Sequence, residues 1–164
     1  MSILNVVGAK IWGGGEQYVY DICKQLQQRH RTAYILVDQS NEDMQSRYAQ
    51  VGHVMTANLY TLKGFLSVNA VAKQVKEQGI DTIVCHSGKY ILFCIALKQL
   101  TGAKLVFIKH NLVPGKTDMY HRWINAQVDA FVCVSKLVYD DLMTPVIKDT
   151  SKYHVVYNGI DPNR

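Results

Sequence analysis

Apolar runs of strand length alternate along the chain with stripes of helical period. Ile3–Val7 is apolar except for Asn5 and leads directly into Gly8. Ala33–Val37, Asp81–Cys85, Leu105–Ile108, Ala130–Val134 and Val155–Tyr157 repeat that character, with Val, Ile, Phe and Tyr dominant. Unbroken rather than alternating hydrophobicity marks strands buried on both faces of a parallel sheet. His53–Thr56 is a shorter strand candidate. Between these runs the period changes. Val19, Ile22, Cys23 and Leu26 stand at i, i+3, i+4 and i+7, which predicts a helix opening near Glu16. Val68, Val71, Ala72 and Val75 repeat the spacing, and Gly79 sits where a helix C-cap glycine belongs. Ile91–Leu100 is apolar nearly all round and is followed by Gly102, so it reads as a buried helix. Thr117–Ala126 and Lys136–Met143 complete the set, with Pro145 stopping the last. The alternation predicts a doubly wound α/β fold: a mostly parallel sheet of about six to seven strands with helices on both faces.

Composition narrows this picture. A chain of 164 residues with 48% hydrophobic and 19% charged positions fits one domain with an ordinary core. No uninterrupted apolar run has the length of a membrane span, and Met1–Lys10 lacks the basic start of a secretory signal. Eighteen Lys and Arg against 13 Asp and Glu give a net charge of +5. The basic residues are scattered, with only Lys24–Arg31 and Lys148–Lys152 near to clustering, so nucleic acid is not an expected partner. A contact with anionic phosphates or an acidic membrane surface is compatible with the surplus. Cys23, Cys85, Cys94 and Cys133 show no metal-type spacing and lie inside apolar runs, so they read as buried free thiols. With no Asn-x-Ser/Thr site either, a cytoplasmic location is expected.

In such sheets ligands bind outside the carboxyl ends of the strands. Those positions here carry Gly8, Asp38, His86-Ser87-Gly88, Lys109-His110-Asn111, Ser135 and Asn158-Gly159. Gly13-Gly14-Gly15 precede the first helix, where bare backbone N–H groups and the helix dipole suit an anion. The specific dinucleotide and Walker fingerprints are absent, so the loop is a candidate for an anion or phosphate without a named nucleotide. Without those glycines Asp38 reads as a solvated loop residue rather than a ribose ligand. His110, with His86-Ser87 in the corresponding place on the preceding strand, would present imidazoles and a hydroxyl to one crevice, suited to polyhydroxylated ligands. Ser135 reads first as a helix N-cap, a role compatible with ligand contact. His30, His53, His121 and His154 read as structural or exposed, and no spacing makes a metal site.

Four segments in order resemble the N-terminal domain of family-4 glycosyltransferases, retaining enzymes of the GT-B fold. Gly13-Gly14-Gly15-Glu16-Gln17-Tyr18-Val19 is similar to the family's G-G-x-E-x-x-V loop and helix. Lys104–Asn111 is similar to the strand that ends in its His, and Val128–Ser135 to its D-x-x-x-x-S strand. Val155–Pro162 resembles the N-G-I/V-D segment that leads out of the first domain. The resemblance implies a Rossmann-like acceptor-side domain over residues 1–157. Residues 158–164 would begin a linker to a second, nucleotide-sugar-binding domain.

By the same resemblance the backbone at Gly13, Gly14 and Gly15 would approach the donor diphosphate. His110 would lie beside the transferred sugar as the catalytic-site His. His86, Ser87, Asn111, Ser135 and Asn158 would line the acceptor side of the cleft. Gln17 stands where the family often carries Arg, and the second-domain motif that clamps the leaving diphosphate has no counterpart here. The implied reaction moves a hexose from a nucleotide sugar to a glycan or lipid-linked acceptor with retention, without a metal or other cofactor. The isolated domain would be inactive, because charge stabilisation of the departing diphosphate comes from the other half. The implied setting is polysaccharide biosynthesis in the cytoplasm or at the inner membrane face. The alternative is a non-catalytic partner subunit of a glycosyltransferase complex.

Overall fold

The computed structural model describes residues 2–59, 64–143 and 150–159. Its strands are β1 (Ile3–Val7), β2 (Tyr34–Asp38), β3 (His53–Ala57), β4 (Thr82–Cys85), β5 (Lys104–Lys109), β6 (Ala130–Cys133) and β7 (Tyr153–Val155). Its helices are α1 (Gly14–Gln28), α2 (Glu42–Tyr48), α3 (Gly64–Glu77), α4 (Ile91–Thr101), α5 (Met119–Gln127) and α6 (Lys136–Leu142). A 3₁₀ turn at Gly88–Tyr90 leads into α4. Among the described residues the strands form one sheet in the order β3-β2-β1-β4-β5-β6-β7. Every pairing is parallel, in agreement with the doubly wound fold predicted from the alternation.

The sheet carries a core on each face. Leu4 and Val6 of β1 face α3 and α4, packing with Val71, Val75, Ile83, Leu97 and Leu105. Val7 turns to the other face, against Val19 and Cys23 of α1 and Ile35, Val37 and Tyr48. A strand's period of two gives each face its own set of side chains. Asn5 is the polar residue buried in β1, 4% exposed among them. All four cysteines are buried and free.

Most element ends match the hydrophobic pattern, and the departures have local causes. Helix α1 begins at Gly14 rather than Glu16, because the Gly13 N–H donates to Glu16 Oε2 at 3.1 Å and caps the first turn. Helix α5 begins at Met119, fixed by Asp118 Oδ1 accepting from the His121 N–H at 3.1 Å. Strand β7 covers Tyr153–Val155, two residues earlier than Val155–Tyr157. Tyr153 stacks on Phe131 with ring centroids 4.6 Å apart, and the Phe131 N–H donates to the Lys152 carbonyl at 2.7 Å. Those contacts set the register of β7; the Val156 N–H still donates to the Cys133 carbonyl at 3.0 Å, and the side chains of Val156 and Tyr157 are exposed. Pro145 and the end of the expected linker, from Ile160 on, lie outside the described residues. So does the start of the basic cluster Lys148–Lys152, at residues 148 and 149.

Candidate functional site at the carboxyl edge of the sheet

The strand order reverses between β1 and β4, which opens a crevice at their carboxyl ends. Three elements converge there: the amino end of α1, the exit of β4 at His86 and the exit of β5 at His110. His86 Nδ1 lies 3.1 Å from His110 Nε2, and the two rings stack with centroids 5.4 Å apart and 23° between their planes. On its other side His86 Nε2 is 3.1 Å from Asn5 Oδ1. The Asn5 amide is oriented in turn by Nδ2, 4.0 Å from Cys23 Sγ. Tyr18, one turn into α1, meets both imidazoles edge-on, 5.2 Å from His110 and 6.3 Å from His86. A Cβ built on Gly15 would touch the His110 ring at 3.8 Å, so the glycine helix start packs directly on this His.

Burial sets the electrostatics. Desolvation, together with the neighbouring His110, lowers the His86 pKa to about 3, and desolvation lowers that of His110. Both rings are therefore neutral near pH 7. Burial raises the Tyr18 pKa and pushes the Cys23 thiol up to about 12, so neither supplies charge to the pair.

A cleft of about 680 Å³ opens beside the pair, walled by the exits of β4 and β5, the segment 111–118 and the first turn of α5. His86, Ser87, His110 and Asn111 line it, so the structure brings these four expected residues together. Ser87 also caps the 3₁₀ turn, its Oγ accepting from the Lys89 N–H at 3.3 Å. Lys109, one of the strand-exit positions, lines it as well, together with Lys89, Lys116, Tyr120 and His121, which carry no sequence signal for the site. Lys109 is half-buried, its Nζ donating to the Val113 carbonyl at 2.9 Å. Desolvation lowers its pKa, although Cys133 and Asp141 oppose the shift. His121, read from sequence as structural or exposed, does hold a structural contact through Nδ1 to Asp118 Oδ2 at 2.6 Å.

The remaining expected residues lie apart from that cleft. Gly13 and Gly14 head α1, and a Cβ on Gly14 would meet nothing within 4 Å, which leaves open space before the helix N-terminus. The Gly13 N–H is already taken by Glu16. Gln17 is held on the helix side by Trp12 Nε1 at 3.1 Å and by its own donation to Asp21 at 2.9 Å. Ser135 Oγ accepts from the Val138 N–H at 3.2 Å as the cap of α6. Asn158 is exposed beyond β7, and neither it nor Ser135 lines the cleft. Asp38 is not a solvated loop residue. It ends β2 only 5% exposed, its carboxylate accepting from the Leu59 N–H at 2.9 Å and the Ser40 N–H at 3.0 Å. Burial raises its pKa, but the Ser40 hydroxyl, which also donates to it, these two N–H bonds and the charge of Lys10 outweigh that and hold it below the usual carboxylate value. It fastens the exits of β2 and β3.

Sequence reasoning noted Asn5 only as a break in an apolar run and passed over Tyr18. A single amide inside an otherwise apolar strand was the available signal for the first, since a buried polar group needs a partner.

An all-parallel sheet in this order, with a polar crevice at its switch point, defines a Rossmann-like domain. The sequence matches the model of Glycosyltransferase Family 4 over residues 12–164, and the chain belongs to that family. No curated protein matches it. Among solved structures, a glycosyltransferase from Rickettsia africae is similar with a TM-score of 0.83 and 20% identity, over 98% of this chain and 43% of that one. Anabaena HepE in complex with UDP-glucose is similar with a TM-score of 0.76 and 19% identity, over 99% and 45%. Acinetobacter baumannii MurG follows with a TM-score of 0.69 and 12% identity, over 98% and 47%. The chain thus spans a little under half the length of each.

Proposed function

We propose that this chain is the acceptor-side domain of a retaining glycosyltransferase that uses a nucleotide-sugar donor. The observation that carries the reading is the meeting of the glycine helix start with His110: Gly15 packs on the imidazole that also lines the cleft. A donor diphosphate placed before the N–H groups of Gly14 and Gly15 would bring its sugar next to His110, and a helix N-terminus stabilises such an anion. The Glu16 carboxylate on the Gly13 N–H is an internal anion at that spot, which a diphosphate would displace or sit beside. A neutral imidazole hydrogen-bonds a sugar hydroxyl without placing a full positive charge against it. HepE, whose structures hold UDP and UDP-glucose, supports a nucleotide-sugar donor by its similar fold.

The acceptor would enter along the cleft. Its rim exposes Val113 and Tyr120 beside Lys116, with Leu112, Met119 and Trp123 exposed on the same stretch. Apolar and basic groups together suit a lipid-linked acceptor at an acidic membrane face. No described helix is long and apolar enough to cross a membrane.

The test is transfer by the full-length natural protein with and without His110→Ala. A loss of about 100-fold or more in kcat/KM with unchanged folding is expected. Wild-type rates in the variant would refute the role.

A further inference from the structure

The pair of imidazoles does more than meet: it is anchored at one end. Asn5 is buried in the middle of β1, its Nδ2 turned to Cys23 and its Oδ1 to His86. A carbonyl oxygen only accepts, so His86 Nε2 carries a proton and donates to it. A neutral imidazole holds one proton, which leaves His86 Nδ1 bare as an acceptor. The partner at 3.1 Å, His110 Nε2, must then donate. That leaves His110 with its proton on Nε2 and a lone pair on Nδ1. Among the described residues His110 has no other hydrogen-bond partner, and its ring borders the cleft.

We propose that Asn5 and His86 are positioning residues that fix one tautomer of His110, so that its Nδ1 accepts a hydrogen bond from a hydroxyl of the bound sugar. The inference rests on the glycosyl-transfer reading for the identity of the ligand, but the tautomer itself does not depend on it. The groups facing the two rings are consistent with one proton arrangement. Asn5 comes from β1 and Gly15 and Tyr18 from α1, with Cys23 behind Asn5 at its Nδ2, and Ser87 and Lys89 share the cleft wall. No carboxylate touches either ring among the described residues, so nothing there favours a doubly protonated imidazole. Chain order explains the economy of the device. The polar break in β1, the exit of β4 and the exit of β5 are neighbours only because the sheet runs β1-β4-β5. Register supports it as well, since Asn5 pairs with Val84, two residues before His86.

Imidazole nitrogen NMR on this 164-residue chain, labelled with ¹⁵N-His and free of any sugar, reads the arrangement directly. At pH 8 the spectrum is expected to show a protonated Nε2 and a bare Nδ1 for both His86 and His110. In Asn5→Leu, close to Asn in size, the His110 signals are expected to move to a mixture of tautomers. Asn5→Asp keeps an acceptor at the anchor, so it is expected to retain the wild-type tautomer while raising the pH at which the rings protonate. A wild-type His110 protonated at Nδ1 overturns the proposal. So does an Asn5→Leu spectrum unchanged from wild type. Should Asn5→Leu fail to fold, an Asn5→Asp titration identical to wild type overturns it instead. In the full-length protein, Asn5→Leu is expected to lower kcat about tenfold or more, with Asn5→Asp restoring part of the loss. The spectrum needs neither donor nor acceptor, so a protein that transfers no sugar would remove the ligand and leave the relay standing.

Discussion

His86 stacks on His110 with one hydrogen bond of 3.1 Å between their rings, and both are held neutral by burial. Neutrality here makes the fold sensitive to acid. The His86 pKa falls from about 6.5 in the unfolded chain to about 3 in the fold. Above pH 6.5 neither state binds the proton, so the stability is complete. Between about 6.5 and 3 the unfolded chain takes up a proton that the fold refuses, and stability falls as the pH drops. At pH 5 this amounts to roughly 2 kcal/mol, at about 1.4 kcal/mol per pH unit, with His110 adding in the same direction. Urea unfolding at pH 8 and pH 5 checks it. The difference is expected to shrink by about half or more in His86→Phe, and an equal acid loss in the two proteins would assign the sensitivity elsewhere.

Gly14 separates a turn from a ligand loop. A Cβ there meets nothing, so Gly14→Ala does not clash, and in the first turn of a helix it is expected to be neutral or to stabilise by up to about 1 kcal/mol. If the loop accepts a diphosphate at close range, the same methyl group stands between backbone and phosphate. The expected result is unchanged or higher melting temperature with donor KM raised about tenfold, in the full-length protein. Unchanged KM would reduce the glycine run to a connection between β1 and α1.

How far the sequence discloses this molecule depends on what a residue touches. Strands such as Ile3–Val7 and Thr82–Cys85 are buried on both sides, so their apolar runs show in one dimension. Helix α2 escaped the pattern because it is short and buries only Met44 and Tyr48, too few to make a stripe. Its start was written locally all the same, in Asn41 accepting from the Met44 N–H and in Glu42 and Asp43 of the first turn. His86 and His110 could be placed at one edge by strand ends alone. The link from His110 to Asn5 could not, because it crosses 105 positions through the order β1-β4-β5. Asp38 differs from its sequence reading for a related reason: Ser40 is a local partner, but Leu59, 21 positions on, comes within reach only because β3 lies beside β2.

Ser135 provides a contrast to the cleft residues. Its Oγ caps α6 through Val138, and it stands outside the cleft wall. Ser135→Ala is expected to destabilise the chain by about 1 kcal/mol, the usual value of an N-cap, with Ser135→Asp restoring it. Transfer by the full-length protein should stay within about twofold of wild type once folding is matched. A larger drop in transfer would bring Ser135 into ligand contact and extend the site to β6.

Gly52 carries a stability requirement unrelated to the site. It precedes β3, where the His53 N–H donates to the Ala33 carbonyl at 2.8 Å and brings the two backbones together. A Cβ on Gly52 would lie 2.7 Å from that same carbonyl oxygen and 2.4 Å from Ile35 Cδ1. The Ile35 tip sits in the fully buried core and the carbonyl is fixed in the β2–β3 ladder, so neither yields freely. Gly52→Ala is therefore expected to destabilise by about 1–3 kcal/mol, the range for overpacking, which lowers the melting temperature by roughly 2–12 °C in a chain of this size. Gly88→Ala, where a Cβ meets nothing, is the matched control. The strain should be relieved by trimming its nearest neighbour: Gly52→Ala combined with Ile35→Val is expected to lose less than the sum of the two single changes. Additive losses would mean that the Ala33 carbonyl, not the Ile35 methyl, sets the penalty.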